Sequence, residues 1–221
     1  MAPSENDIRT LLSSQSYSAS MVQPLEEYLA AQTAGEAPYM FDAVRTLVKL
    51  YQLFPEHSKE DLTVHAYLLA MLEYPSTDNL ALSYMIPQPI LSKDVCASIQ
   101  TCLTHLSACQ FAEFWKNYEA LESSADPVVA GVAKRSVARL QASILQVLAL
   151  TYKEAPTSVV SKALRGIAAA DITALQSPVV QSASADSVVF AASADNTKRE
   201  KVYQEGVSFS TIGSLLSKIS Q

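Results

Sequence analysis

Apolar residues recur along this chain at helical spacing, in blocks set apart by prolines. Phe41, Val44, Leu47, Val48, Tyr51 and Phe54 follow the i, i+3, i+4, i+7 spacing, with Arg45 and Lys49 on the other face, and predict a helix. Leu62, Ala66, Leu69 and Leu72 predict a second, Asp78 to Met85 a short third capped by Asp78, and Val95, Ile99, Cys102, Leu103 and Leu106 a fourth. Phe111, Phe114, Trp115, Tyr118 and Leu121 form an aromatic-faced helix. After Asp126-Pro127 a long helix carries Val132, Val137, Leu140, Ile144, Val147, Leu148 and Thr151. Pro24, Pro38, Pro55, Pro75, Pro87, Pro89, Pro127, Pro156 and Pro178 punctuate the blocks, where a missing N–H is tolerated. Short linkers imply antiparallel neighbours, and paired amphipathic helices stack into a HEAT-like or TPR-like array. No strict period runs through the chain, so the repeats are irregular.

The pattern changes after Lys153. Ser158 to Arg165 and Ala170 to Gln176 predict two short helices separated by Gly166, and β-branched residues follow at Val188, Val189 and Phe190, then at Val202 and Tyr203. These two runs flank the polar stretch Ser193 to Arg199, as the strands of a hairpin would. Helices followed by a hairpin within about fifty residues outline a winged helix. Phe209, Ile212, Leu216 and Ile219 then repeat at spacings of 3, 4 and 3, with Leu215 beside them, on a helix too short to be stable alone. The expected protein is therefore mostly α: a HEAT-like helical domain over 1–153, a small α+β winged-helix domain over 154–206 and a C-terminal docking helix over 207–221.

Composition and charge narrow the functional classes. With 221 residues, 49% hydrophobic and 17% charged, the chain can bury a stable core without disulfides or metals. Its net charge of −6 is unevenly placed: residues 1–130 hold sixteen Asp and Glu against six Lys and Arg, and residues 131–221 hold six against ten. An acidic front does not favour a phosphate backbone, so any nucleic-acid contact has to come from the last third. The candidates there are Lys198, Arg199 and Lys201 at the expected hairpin. The second and third helices of the expected winged helix, within Asp171 to Gln181, carry no Lys or Arg, which favours a protein partner over RNA. No apolar run reaches the eighteen or so residues that span a bilayer, and the first ten residues are polar, so no membrane contact and no standard secretion are expected. Three cysteines, Cys96, Cys102 and Cys109, are read as reduced thiols of the cytoplasm or nucleus.

Chemistry finds little purchase. The five glycines form neither GxGxxG nor GxxxxGK[ST], and GxSxG and HExxH are absent. Cys102, His105 and Cys109 fall at i, i+3 and i+7, but i and i+7 lie roughly 10 Å apart along a helix, too far for one zinc to gather. They are read as small buried thiols with a core or rim histidine, and His57 and His65 as isolated from any Cys, Ser or acid pattern that defines a nucleophile motif. The acidic pairs Glu26-Glu27 and Glu60-Asp61 are read as solvated surface, and Phe111, Phe114, Trp115 and Tyr118 as a packed face rather than a base-stacking platform, since only Lys116 accompanies them against Glu113 and Glu119. No catalytic, cofactor-binding or metal-ligating residue is assigned. The expected protein interface is Phe209, Ile212, Leu215, Leu216 and Ile219.

The run Leu47-Val-Lys-Leu-Tyr-Gln-Leu-Phe-Pro55, the segment Phe111-Ala-Glu-Phe-Trp115, the stretch Ser143-Ile-Leu-Gln-Val-Leu-Ala-Leu-Thr-Tyr152 and the tail Phe209 to Gln221 resemble, in this order and spacing, the subunit k family of eukaryotic translation initiation factor 3. That family in turn resembles small lid subunits of the proteasome and the COP9 signalosome, which share a HEAT-like domain followed by a winged helix. The resemblance implies a non-enzymatic, cytoplasmic component of the initiation factor, without cofactors. Subunit l is its expected neighbour, the complex provides contact with the 40S ribosomal subunit, and C-terminal helices of several subunits gather in a bundle. A lid-type scaffold subunit and an RNA-binding winged-helix module are the alternatives. Ser177 to Ala194, rich in Ser and Ala, departs from the family pattern.

Overall fold

The structure is a computed structural model and describes residues 3–14, 17–175, 179–197 and 209–219. Its first part is helical: α1 (Glu5–Ser14), α2 (Val22–Ala34), α3 (Phe41–Leu53), α4 (Glu60–Leu72), α5 (Asp78–Ser83), α6 (Gln88–Leu91), α7 (Asp94–Ser107), α8 (Phe111–Glu122) and α9 (Pro127–Thr151). The one-sided stripes of α3, α8 and α9 fall where the apolar spacing places them. α1 and α2 carry no signal that the spacing singles out. α2 buries Gln32 and Thr33 along with Leu25, Tyr28 and Leu29, so its inward face is partly polar.

Three local expectations are corrected. Pro24 does not separate elements but sits in the first turn of α2, where the backbone N–H groups have no intrahelical partner and a proline costs nothing. Asp78 does not cap α5; Thr77 holds the cap position and Asp78 is the first helical residue, its own N–H donating to Ser76 Oγ at 3.2 Å. α4 is not a striped surface helix. Every residue from Thr63 to Leu72 is buried, because α4 packs against α2, α5, α7 and α9 at once, and a helix covered on all sides is apolar all round.

The second part contains β1 (Glu154–Pro156), α10 (Thr157–Ala163), α11 (Ala169–Ala174), β2 (Val180–Ala183) and β3 (Ser187–Phe190), and α12 (Phe209–Ile219) lies at the C-terminal end. The three strands form an antiparallel sheet of order β1-β3-β2. The expected hairpin is thereby corrected in its described half: Val188 to Phe190 pairs with Val180 to Ala183 on one edge and with Glu154 to Pro156 on the other, and Val202 and Tyr203 lie outside the described residues. Serines build the β2–β3 turn. Ser184 N–H donates to Ser187 O at 2.8 Å and Ser187 N–H to Ser184 Oγ at 3.1 Å, while Thr157 Oγ1 donates to Ser184 O at 2.8 Å and ties the turn to the start of α10.

One apolar core runs through both parts, from Ile8 to Phe190. At the seam, Trp115 Nε1 donates to Ala163 O at 2.8 Å and Gln141 Nε2 to Leu164 O at 2.8 Å, which satisfies the carbonyls that end α10. Arg165 follows in the left-handed region at φ 66 and reaches Glu122 through two bonds of 2.8 and 2.7 Å, its guanidinium 5.6 Å from the Trp115 ring. That guanidinium holds the Glu122 carboxyl below its ordinary range despite partial burial.

Candidate protein-docking site

α12 has eleven residues, about 16 Å of helix, with Ile212, Leu216 and Ile219 on one face. Ile212, Leu216 and Ile219 are 40%, 57% and 79% exposed. A helix of this length is marginal in water by itself, and the exposed stripe is the surface that a partner would cover. Of the five residues expected at this interface, these three are placed on the exposed face. The side chains of Phe209 and Leu215 lie outside the described ones, as do Lys198, Arg199 and Lys201 altogether.

A second apolar surface lies where the two parts meet. A groove of about 610 Å³ opens between Phe111 and Ala112 at the start of α8, Val147 and Thr151 at the end of α9, and Val159 of α10. Tyr152 and Val159, which line it, are about half exposed.

The other candidates resolve into structural roles. Phe114 and Tyr118 are fully buried and Phe111 and Trp115 nearly so, with the Tyr118 hydroxyl donating to Ala133 O at 2.9 Å, so this aromatic face is core. Cys96 and Cys102 are buried, and burial pushes their thiols up to about 11 and about 12, which keeps both protonated and unreactive. Cys109 is exposed and lies beyond the end of α7, and His105 Nδ1 pairs with Gln110 Oε1 at 2.9 Å. Among the described residues no group of three His, Cys, Asp or Glu is arranged to hold a metal ion. Among them, too, no helix is long and apolar enough to cross a membrane.

Two expectations about polar residues are corrected. Glu26 is not solvated surface: its side chain is 12% exposed, one oxygen accepts the Tyr51 hydroxyl at 2.7 Å and the other pairs with Lys59. Burial and that carboxylate together push the Tyr51 phenol far up. His65 is not isolated, because its Nε2 lies 2.8 Å from Asp126 Oδ2 although the two are 61 residues apart. Asp126 Oδ1 meanwhile accepts from the N–H groups of Val128 and Val129 at 2.8 and 3.3 Å and caps α9. Burial alone would raise the Asp126 carboxyl, but the bonds from His65 and the two amides hold it below its ordinary range. The only local signal for this node is Asp followed by Pro at a helix start, which announces the cap and not the histidine.

No family model matches the chain. Comparison with curated proteins finds similarity to proteins called eukaryotic translation initiation factor 3 subunit K. The one from Dictyostelium discoideum is 36% identical over 49% of this chain, an alignment that spans 43% of that protein and so less than half its length. Those from Caenorhabditis briggsae and Homo sapiens are 26% and 24% identical, each over 91% of this chain and 89% of the relative.

Proposed function

We propose that the chain is a non-catalytic structural subunit of eukaryotic translation initiation factor 3, in the position of subunit K, held in the complex through α12. One observation carries this reading: the similarity to subunit K proteins of a nematode and of human runs over 91% of the chain, helical part and sheet-bearing part alike. The exposed face of α12 supports the proposed mode of attachment. Ile212, Leu216 and Ile219 present an apolar stripe that a neighbouring subunit's helix would bury, each side chain contributing roughly 1.5–3 kcal/mol if fully covered.

The order β1-α10-α11-β2-β3 with sheet order β1-β3-β2 supports a winged helix for the second part, packed on a HEAT-like body. α11 carries Asp171 as its only charge, which suits a protein partner better than a phosphate backbone. We assign it no direct RNA contact, a cytoplasmic place, subunit l as neighbour and the 40S ribosomal subunit as a contact made through the complex.

The test is Leu216→Asp with Ile219→Asp in the full chain. The variant is expected to lose co-purification with the other initiation-factor subunits while its helical circular dichroism stays at the wild-type level. Retention of those subunits by the variant, or their absence from the wild-type material, overturns the reading.

A further inference from the structure

Residues 1–130 hold only six Lys and Arg, and three of them line the hollows beside one tyrosine. Tyr17 lies between α1 and α2, 46% exposed, with its backbone in the left-handed region at φ 61. Lys49 of α3 donates from Nζ to its hydroxyl at 2.8 Å and lies 4.1 Å from its ring centroid. Arg9 of α1 and Arg45 of α3 line the same hollow, of about 390 Å³, and Lys49 lines a second of about 410 Å³ on which Tyr17 and Arg45 also border.

This arrangement is uneconomical for a neutral phenol. A neutral hydroxyl satisfies one cation, whereas this one meets Lys49 directly, whose hydrogen bond and charge lower its pKa, with a smaller lowering from Arg45. The existing partners of the two arginines do not compete strongly. Arg9 pairs with Glu5 and Arg45 with Asp42, each within one helix and with exposed side chains, the class of ion pair that contributes least. A free anion would be repelled by the acidic body around it, but one carried on Tyr17 itself is held at high effective concentration.

We propose that Tyr17 is a phosphorylation site whose phosphate is received in place by Lys49, Arg45 and Arg9. In the modifying step the phenol oxygen attacks the γ-phosphorus of ATP in the active site of a tyrosine-directed kinase. The Oη–P bond forms, the bond to the bridging oxygen of the departing ADP breaks, and the phenol proton passes to the kinase's base. The product carries a charge of about −1.5 to −2 at pH 7 and three acceptor oxygens. It would link α1, through Arg9, to α3, through Arg45 and Lys49.

The experiment uses the full chain with phosphotyrosine installed at position 17, followed by ³¹P NMR across pH. The phosphate's second ionisation is expected about half a pH unit or more lower than in the same protein unfolded in urea. That displacement should shrink as salt rises and vanish in the Arg45→Gln, Lys49→Gln double variant, whose circular dichroism should match the parent. Equal midpoints in folded and unfolded chains, or a displacement that survives the double variant, overturn the receiving pocket. Phosphopeptide mapping of the protein isolated from its own cells with phosphatases inhibited is expected to find phosphate on Tyr17, and its consistent absence overturns the modification.

Discussion

Helices α8 and α12 are built to the same plan and end in opposite surroundings. Each is eleven or twelve residues long with large apolar side chains at helical spacing. In α8 the face made by Phe111, Phe114, Trp115 and Tyr118 is closed by α7, α9 and α10, and the polar tips of Trp115 and Tyr118 find carbonyls at 2.8 and 2.9 Å. In α12 Ile212, Leu216 and Ile219 meet solvent. Periodicity therefore tells which face of a helix wants cover, and not whether the cover belongs to the same chain. Among the described residues, the apolar face of α8 is covered by its own protein, and that of α12 is left exposed.

The largest effect that tests this contrast is expected at Trp115. Its ring packs edge-on against Phe114 and Tyr118 at centroid separations of 4.8 and 5.6 Å, and its N–H satisfies the Ala163 carbonyl across the seam. Trp115→Ala removes the packing and leaves a buried acceptor without a donor, so a loss of about 3–5 kcal/mol is expected, on the order of 10 °C in Tm for a chain of this size. Denaturant and thermal unfolding of the isolated chain measure it. A loss under about 1 kcal/mol would mean that α8 is not held by the body, and the contrast with α12 would collapse.

A smaller loss is expected at Asp126, which joins α4 to α9 through one carboxylate. Asp126→Ala removes the cap of α9 and strands His65, for about 2–3 kcal/mol in all, while Asp126→Asn should recover most of it because the amide can still cap and still reach His65. The pH dependence follows from the lowered carboxyl. Its stabilising contribution is fully present above the carboxyl's unfolded-state value of about 3.9 and is lost as pH falls through the lower folded-state value. The gap between wild type and Asp126→Ala should accordingly be constant near neutrality and close in strong acid. A gap that widened in acid would show that the carboxylate is not the stabilising form.

The same contrast explains what could be read from the residues. α3, α8 and α9 were legible because one face is apolar and the other charged. Leu62, Ala66, Leu69 and Leu72 fit the helical spacing of a stripe in α4, yet its burial on all sides depends on α2, α3, α5, α7 and α9, which no local window contains. β2 was not legible at all, since Val180-Gln-Ser-Ala183 has little intrinsic strand preference and pairs only because β3 offers it an edge and the Ser184 turn returns the chain. Val202 and Tyr203 looked the better partner on propensity alone. The His65–Asp126 node joins residues 61 apart and left no local trace beyond the cap. The exposed apolar face at Ile212, Leu216 and Ile219, by contrast, is legible from its spacing, because a helix of three turns has too little surface of its own to hide it.

The smallest effect is expected where the apolar pattern is cleanest. Leu216→Asp with Ile219→Asp replaces two exposed apolar side chains, so the unfolding of the isolated chain should change by no more than about 0.5 kcal/mol, against the several expected at Trp115. Both side chains already have most of their area in water, 57% and 79%, so the free protein has little to lose. Loss of more than about 1 kcal/mol in the isolated chain would place α12 on the body and give the exposed face a partner within the chain. No change in stability together with loss of the complex would separate the two helices as the contrast requires: one apolar face held by its own protein, the other by a neighbour.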